Sequence, residues 1–257
     1  MKGIGTDEAT VIDIITSRSN AQRQTLKKIY HETYKQDLDK ELESELSGDF
    51  EELIIGLMTP AATYDAQCLR DSMKGVGTRE TGLIGILASK NSQEMAEVKT
   101  EYKKKYKKDL TADIQSKTSG DLRVVLLELI KADRDPGNAV DRNLAREDAK
   151  KLNKLTGKSL VDGIEDGMSG STADAYIAIA QSTDPVGFHA KQLYNSMDGL
   201  GTNDSMLIRT IVGRSELDLG DIKAKYKSLY GKKLENEVSS ETSGDYRRAL
   251  LAVLKDK

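Results

Sequence analysis

A short glycine loop occurs three times in this sequence of 257 residues, and its composition could bind a cation. The copies begin at Met1, Met73 and Met197 and share the pattern Met-x-Gly-x-Gly-Thr. Glycines let the chain turn so that carbonyl oxygens converge, and Ca²⁺ takes about six to eight oxygen ligands, ideally including a bidentate carboxylate. For one copy alone, a helix–helix corner is the simpler interpretation, because glycine favours helix C-caps and Thr favours N-caps.

A carboxylate at a constant spacing from two of the loops favours the cation interpretation. Glu45 follows Met1 at the same spacing at which Glu241 follows Met197. Rigid helices between the two positions could hold the acid over the open side of each loop. At the corresponding position after the second loop stands Lys117, which would supply no ligand oxygen and would repel the ion. We therefore predict that the second site is empty or much weaker.

The loops belong to an internal repeat of about seventy residues. A Ser-Gly pair before an apolar helix marks four copies, but the third copy has no glycine loop. That copy is shorter than the second by about 33 residues near 153–154, and its acid position is Gly167, so we predict no site there. Either the sequence omits a stretch or it is a splice form. The predicted repeats are 1–59 (without its first helix), 60–135, 136–183 and 184–257.

The elements that must position these loops are helices. Apolar residues such as Phe50, Leu53 and Leu57 recur at helical spacing, and no alternating strand pattern of useful length appears. Thr6 is the predicted N-cap of the first helix. The segments 19–22 and 91–94 each form a predicted capping box. We predict an all-α fold with about five short helices in a complete repeat.

Composition excludes several classes of function. Lys and Arg number 39 against 42 Asp and Glu, and this net charge of −3 argues against nucleic acid binding by bulk charge. Flanking acids and helical spacing make the basic run 103–108 a solvated helix face. Cys68 is the single cysteine, which favours a reducing compartment, the cytoplasm. His31 and His189 have no evident catalytic partner in the sequence, and no enzyme motif is present, so we predict that the protein is not an enzyme.

The motifs together resemble those of the annexin family over essentially the whole chain. They are the glycine loops, the Ser-Glu-x-Ser-Gly loops that contain the two acids, the segment 17–24 (Ser-Arg-Ser-Asn-Ala-Gln-Arg-Gln) and the fourfold repeat. The resemblance implies four repeats of five helices in a slightly curved disc, with Ca²⁺ loops on the face that meets anionic phospholipid. It also implies protein partners through an N-terminal tail outside this chain, and self-association on membranes.

The family's pattern assigns calcium ligands in this sequence residue by residue. Main-chain carbonyls at the Met and Gly positions and the later acid would bind the ion. The two complete sets are Met1, Gly3, Gly5 and Glu45, and Met197, Gly199, Gly201 and Glu241. Secondary sites in the family use a Thr carbonyl and the acid two residues on. Three pairs match this pattern, although first-turn helix charge is an equal alternative: Thr6 with Glu8, Thr78 with Glu80 and Thr202 with Asp204.

The sequence thus predicts calcium-dependent peripheral binding to anionic phospholipid, in which a loop-bound Ca²⁺ bridges the protein to lipid phosphate. The bridge explains how a chain of negative net charge could hold an anionic surface. The alternative is a calcium-independent helical-repeat scaffold for protein partners. Such a scaffold would bind its partner with or without Ca²⁺, which distinguishes the two hypotheses.

Overall fold

The computed structural model describes residues 6–74, 79–131, 142–157 and 159–255. These ranges contain seventeen α-helices and no strand, which confirms the predicted all-α class. In chain order the helices are α1 (Glu8–Thr16), α2 (Asn20–Tyr34), α3 (Leu38–Glu45), α4 (Gly48–Met58), α5 (Ala61–Ser72), α6 (Glu80–Ser89), α7 (Ser92–Tyr106), α8 (Leu110–Lys117), α9 (Gly120–Lys131), α10 (Arg142–Thr156), α11 (Leu160–Gly167), α12 (Gly170–Gln181), α13 (Pro185–Met197), α14 (Asp204–Arg214), α15 (Leu219–Tyr230), α16 (Leu234–Glu241) and α17 (Gly244–Leu254).

Both predicted capping boxes are confirmed. The Ser19 hydroxyl accepts a hydrogen bond from the Gln22 N–H at 3.3 Å, and the Gln22 side chain accepts one from the Ser19 N–H at 2.9 Å. Asn91 and Glu94 form the same reciprocal pair at the start of α7. Each box satisfies two N–H groups that a helix start otherwise leaves without partners, which fixes where the long helices α2 and α7 begin.

The predicted N-cap of α1 is wrong by one residue. Asp7, rather than Thr6, caps the helix, because its carboxylate accepts the Thr10 N–H at 3.0 Å and the Thr10 hydroxyl at 2.7 Å. These two hydrogen bonds hold the pKa of Asp7 below its ordinary value. An ionised carboxylate also interacts more favourably than a hydroxyl with the N-terminal end of a helix. The Thr6 hydroxyl therefore takes no part in the cap.

The chain divides into two compact units. Unit 1 comprises Met1–Tyr64 together with Val186–Lys257, and unit 2 comprises Asp65–Pro185. In unit 1, α4 packs against α14 and α17, and α1 packs against α17. The two ends of the sequence thus share one apolar core, which includes the fully buried Leu53, Ile208 and Leu250.

A buried arginine joins the helix ends within unit 1. Arg23 is only 2% exposed, and its guanidinium donates to the carbonyls of Ile15 and Leu57 at 2.7 and 2.9 Å. It also forms an ion pair with Glu216 at 3.1 Å. The guanidinium therefore satisfies the carboxyl-terminal carbonyls of α1 and α4, which helices leave without intrahelical partners.

In unit 2, α12 packs against α6 and α9. Helix α10 leads directly into α11 through a three-residue connection, whereas α6 and α7 separate α5 from α8 along the chain. Leu152 and Leu160 occupy the positions of Leu69 and Leu110 in the internal repeat. Leu69 and Leu110 are buried, whereas Leu152 and Leu160 are exposed. The short third segment thus has fewer helices to cover its apolar residues.

Candidate cation sites

The first candidate site pairs Thr6 with Glu45. Met1, Gly3 and Gly5 lie outside the described residues, so the contacts of this site begin at Thr6. The Thr6 hydroxyl donates to Glu45 Oε2 at 2.6 Å, across 39 positions of sequence. Glu8 lies in the first turn of α1 beside this pair in sequence. The structure therefore places the acid within hydrogen-bond reach of the residue that follows the glycine positions.

The second candidate site shows the same arrangement with its loop described in full. Helix α13 ends at the buried Met197, and the loop runs through Gly199 and Gly201 at φ values of +113° and +90°. Both values are in the region that glycine adopts far more readily than other residues. The Asn203 N–H donates to the Ser196 carbonyl at 2.7 Å and closes the base of the loop.

The acid of the second site reaches its loop through the equivalent threonine. The Thr202 hydroxyl lies 3.4 Å from Glu241 Oε2 and 3.3 Å from the Glu241 carbonyl oxygen. The sequence separation is again 39 positions. The two glutamates are exposed, and each is the last residue of its helix, α3 or α16. Neither helix has a basic residue in its last turn.

The position of the two glutamates is unusual for a helix. A carboxylate at the carboxyl end faces the partial negative charge of the last carbonyls, where a cation is favoured instead. A bound cation would offset this repulsion. Helix α8 ends with Lys117, which follows the ordinary preference. Glu45 and Glu241 thus depart from helix preference at the two positions where the repeat predicts a ligand.

The loop that begins at Met73 closes in the same way as the loop after Met197, but it lacks the acid. The Arg79 N–H donates to the Ser72 carbonyl at 2.8 Å, which matches the closure of the loop after Met197. Gly75, Gly77 and Thr78 lie outside the described residues. Glu80, a candidate for a secondary site, accepts a hydrogen bond from the Ser171 hydroxyl of α12.

Two features of the sites were not predicted from the sequence. The first is the hydrogen bond between threonine and glutamate, although the equal separation in both sites was a signal. The second is Leu200, which is fully exposed at the tip of its loop. Asp204, beside the second site, has its pKa raised by burial and by the nearby Asp49.

The described residues contain no group of three or more His, Cys, Asp or Glu side chains that could hold a metal ion. Each candidate site has one carboxylate, so main-chain oxygens would have to supply most of the ligands. None of the described helices is long and apolar enough to cross a membrane.

The helical fold and the pairing of each loop with an acid define a class of helical-repeat protein with candidate two-loop cation sites. An annexin family model matches residues 1–57, 64–129 and 188–253. The chain is 39% identical over 288 aligned positions to annexin A4 of Homo sapiens, covering 98% of this chain and 90% of that protein. The chain belongs to the annexin family. Membership supports calcium-dependent phospholipid binding in general.

Solved structures agree with this membership. A structure of annexin A8 superposes with a TM-score of 0.94 at 37% identity, covering 99% of this chain and 91% of that one. The calcium-bound structure of annexin (Sm)1 gives a TM-score of 0.87 at 33% identity, covering 99% and 87%. The alignment of 288 positions with annexin A4 exceeds the 257 residues of this chain by 31, so the relative contains residues with no counterpart here.

Proposed function

We propose that the protein attaches to anionic phospholipid surfaces through Ca²⁺ held at two sites, both in unit 1. The observation that carries this proposal is the paired geometry of the glutamates, each within hydrogen-bond reach of the threonine that ends a glycine loop. At the second site the helix-terminal carboxylate lies beside a glycine loop, and at the first it lies beside Thr6, the residue that follows the glycine positions. The same pairing at two distant places in the sequence favours a ligand role over an ordinary helix corner.

The donor set fits calcium. Three main-chain carbonyls and one bidentate carboxylate would supply five oxygens, which leaves places for oxygens from outside the protein. The three carbonyls would come from Met197, Gly199 and Gly201 at the second site, and from Met1, Gly3 and Gly5 at the first. All donors are oxygen, and a glycine loop can adapt to the irregular geometry that Ca²⁺ tolerates and Mg²⁺ does not.

A lipid phosphate oxygen would complete the shell of the bound ion. Binding of Ca²⁺ and of lipid would then be reciprocally coupled, so that each strengthens the affinity for the other. The exposed Leu200 at the loop tip would contact the headgroup region beside the bridged phosphate. Thr6 with Glu8 is the candidate secondary site, supported by the hydrogen bond of Thr6 to Glu45. We propose binding rather than catalysis, with recruitment from the cytoplasm to the membrane when Ca²⁺ rises.

Co-sedimentation with vesicles of phosphatidylserine and phosphatidylcholine tests the proposal. The wild-type protein should pellet with Ca²⁺ and be released by excess chelator. The variant Glu45→Gln/Glu241→Gln should need at least about tenfold more Ca²⁺, because each site loses a charged bidentate ligand. Glu43→Gln is a matched control, since Glu43 is exposed in α3 and lies two residues from Glu45.

An unaltered calcium requirement in the double variant would refute the assignment of these ligands. Binding of a protein partner that is equally strong with Ca²⁺ and with chelator, without vesicle binding, would support the scaffold alternative instead.

A further inference from the structure

Helix α10 is an amphipathic helix on which every described side chain, from 143 to 154, is exposed. Leu144 and Leu152 are 53% and 41% exposed. Leu69, at the position of Leu152 in the second repeat, is 0% exposed. Leu152 therefore faces solvent at a position that the second repeat buries, and Leu144 is exposed on the same helix.

Most of the charged side chains of α10 lie away from its leucines. At about 100° per residue, Leu144, Ala149 and Leu152 share one side of the helix, with Asp148 between the two leucines. Arg146, Lys150 and Lys154 lie on the opposite side, together with Glu147. The flanking Lys151 forms an ion pair with Asp148 at 3.0 Å. The side chains at 143–154 include four basic and two acidic groups, so α10 is locally positive in a chain of net charge −3.

We propose that α10 is a second lipid contact, which binds anionic membrane surfaces without Ca²⁺. A helix with leucines on one side, lysines and arginine on the other and low mean hydropathy is the kind that lies in the membrane interface. The leucines would enter the boundary between headgroups and acyl chains. The long basic side chains would reach outward to lipid phosphates.

This contact is separate from the calcium sites in chemistry and in position. It uses basic rather than acidic side chains, and α10 belongs to unit 2, whereas Glu45 and Glu241 belong to unit 1. Three of the seven acidic residues of the third segment, Asp162, Glu165 and Asp166, lie on α11, where an anionic surface would repel them. The contact is therefore confined to α10.

The charge of α10 favours a lipid surface over a protein helix as its occupant. The helix that follows the glycine loop in the second repeat, α6, is buried along most of its length by apolar contacts. A protein helix of that kind would cover the leucines but would make no use of Arg146, Lys150 and Lys154. An anionic lipid surface complements both the leucines and the cations.

The first test is co-sedimentation in excess chelator at low salt, with phosphatidylserine vesicles and with pure phosphatidylcholine vesicles. We expect the wild-type protein to pellet weakly with the former only and to be released as salt rises. Lys150→Glu/Lys154→Glu should reduce the partition coefficient by about tenfold or more. The control Lys103→Glu/Lys107→Glu makes the same change in charge, at the same spacing, in exposed residues at the end of α7.

No pelleting of the wild-type protein under these conditions would overturn the proposal. An equal loss in the control variant would also overturn it, because the attraction would then depend on net charge and not on α10.

The second test uses tryptophan, which the chain lacks. In Leu152→Trp, phosphatidylserine vesicles in chelator should shift the emission to the blue, and brominated lipid should quench it. Leu229→Trp is the control, since Leu229 is 51% exposed on α15 in unit 1. A blue shift of Trp at position 152 that grows with protein concentration without vesicles, and no quenching by brominated lipid, would mean self-association and would overturn the proposal.

The inference and the proposed function fail separately. Glu45→Gln/Glu241→Gln should weaken only the calcium-dependent fraction of binding. Lys150→Glu/Lys154→Glu should weaken only the fraction that resists chelator.

Discussion

At the residue scale, one side chain at the end of a helix distinguishes the two candidate sites from the loop that begins at Met73. Glu45 and Glu241 end α3 and α16, and Lys117 ends α8. Two loops are closed by the same main-chain hydrogen bond, from Asn203 and from Arg79. The main-chain closure is thus the same in the candidate site after Met197 and in the loop that begins at Met73. The charge at the end of the facing helix differs.

Exchanging these charges should move calcium binding between repeats. We expect Glu45→Lys to raise the Ca²⁺ concentration for half-maximal vesicle binding by about tenfold or more, because it replaces two ligand oxygens with a like charge. Lys117→Glu should lower that concentration by completing a third site. Vesicle sedimentation over a Ca²⁺ titration measures both.

The control for the effect expected of Lys117→Glu is Lys105→Glu, which makes the same change in charge at an exposed residue of α7. If Lys117→Glu and Lys105→Glu behave alike, the acid position does not determine the site.

Leu200 allows a direct measurement at one loop. Because the chain contains no tryptophan, Leu200→Trp would be the sole indole and would be exposed in solution. We expect its emission to shift to the blue with phosphatidylserine vesicles and Ca²⁺, and to return on addition of chelator, because the ring would enter the headgroup region. Emission that remains unchanged while the protein pellets would show that this loop does not meet the membrane.

At the scale of elements, helix ends decide the arrangement of unit 1. A capping box fixes the start of α2, and the Arg23 guanidinium satisfies carbonyls at the ends of α1 and α4. Burial lowers the pKa of the guanidinium, and the Glu216 carboxylate opposes that shift. The ion pair also connects α2 to the segment between α14 and α15, which is distant in sequence.

Replacement of Arg23 should destabilise the protein without touching the calcium ligands. We expect Arg23→Met to lower the free energy of unfolding by about 2–4 kcal/mol, since the Ile15 carbonyl loses its guanidinium donor and Glu216 loses its ion pair. Urea unfolding followed by circular dichroism measures the change. Lys28→Met on the same helix is the control, because its ion pair with Glu32 is exposed and should contribute less than about 1 kcal/mol.

Equal unfolding curves for Arg23→Met and Lys28→Met would contradict the role given to the buried guanidinium.

At the scale of the whole molecule, the two complete candidate sites belong to the same unit. They occur near opposite ends of the sequence, yet both lie in unit 1, where α1 packs against α17 and α4 against α14. Unit 2 contains Lys117 and Gly167 at the corresponding acid positions. We therefore expect the calcium-dependent membrane contact to be a property of unit 1.

Hydrogen–deuterium exchange tests this asymmetry. With Ca²⁺ and phosphatidylserine vesicles, amide exchange should slow in the loop 198–203 and around Ser47 and Ser243, because bound ligands stabilise those loops. The connection at 118–119 in unit 2 should change little. Equal protection at 118–119 and at Ser47 would contradict the assignment of the calcium contact to unit 1.

Much of the local structure follows from the sequence. Apolar spacing around Leu53 and Leu57 predicts helices, and the side chains of Ser19 and Asn91 predict their starts, because these signals act over three or four residues. The prediction that Thr6 caps α1 is wrong for an equally local reason. Asp7 competes for the same N–H groups, and its charge favours it as the cap.

The sequence by itself thus determined the helices, the repeat, and the residues of the candidate sites. Only the tertiary structure decided which repeats share a core, that Thr6 and Thr202 reach the glutamates, and that Leu152 is exposed while Leu69 is buried. The physical reason is that helix propensity and capping act between neighbours in sequence. Burial and charge pairing depend on which distant helices are available to cover each side chain.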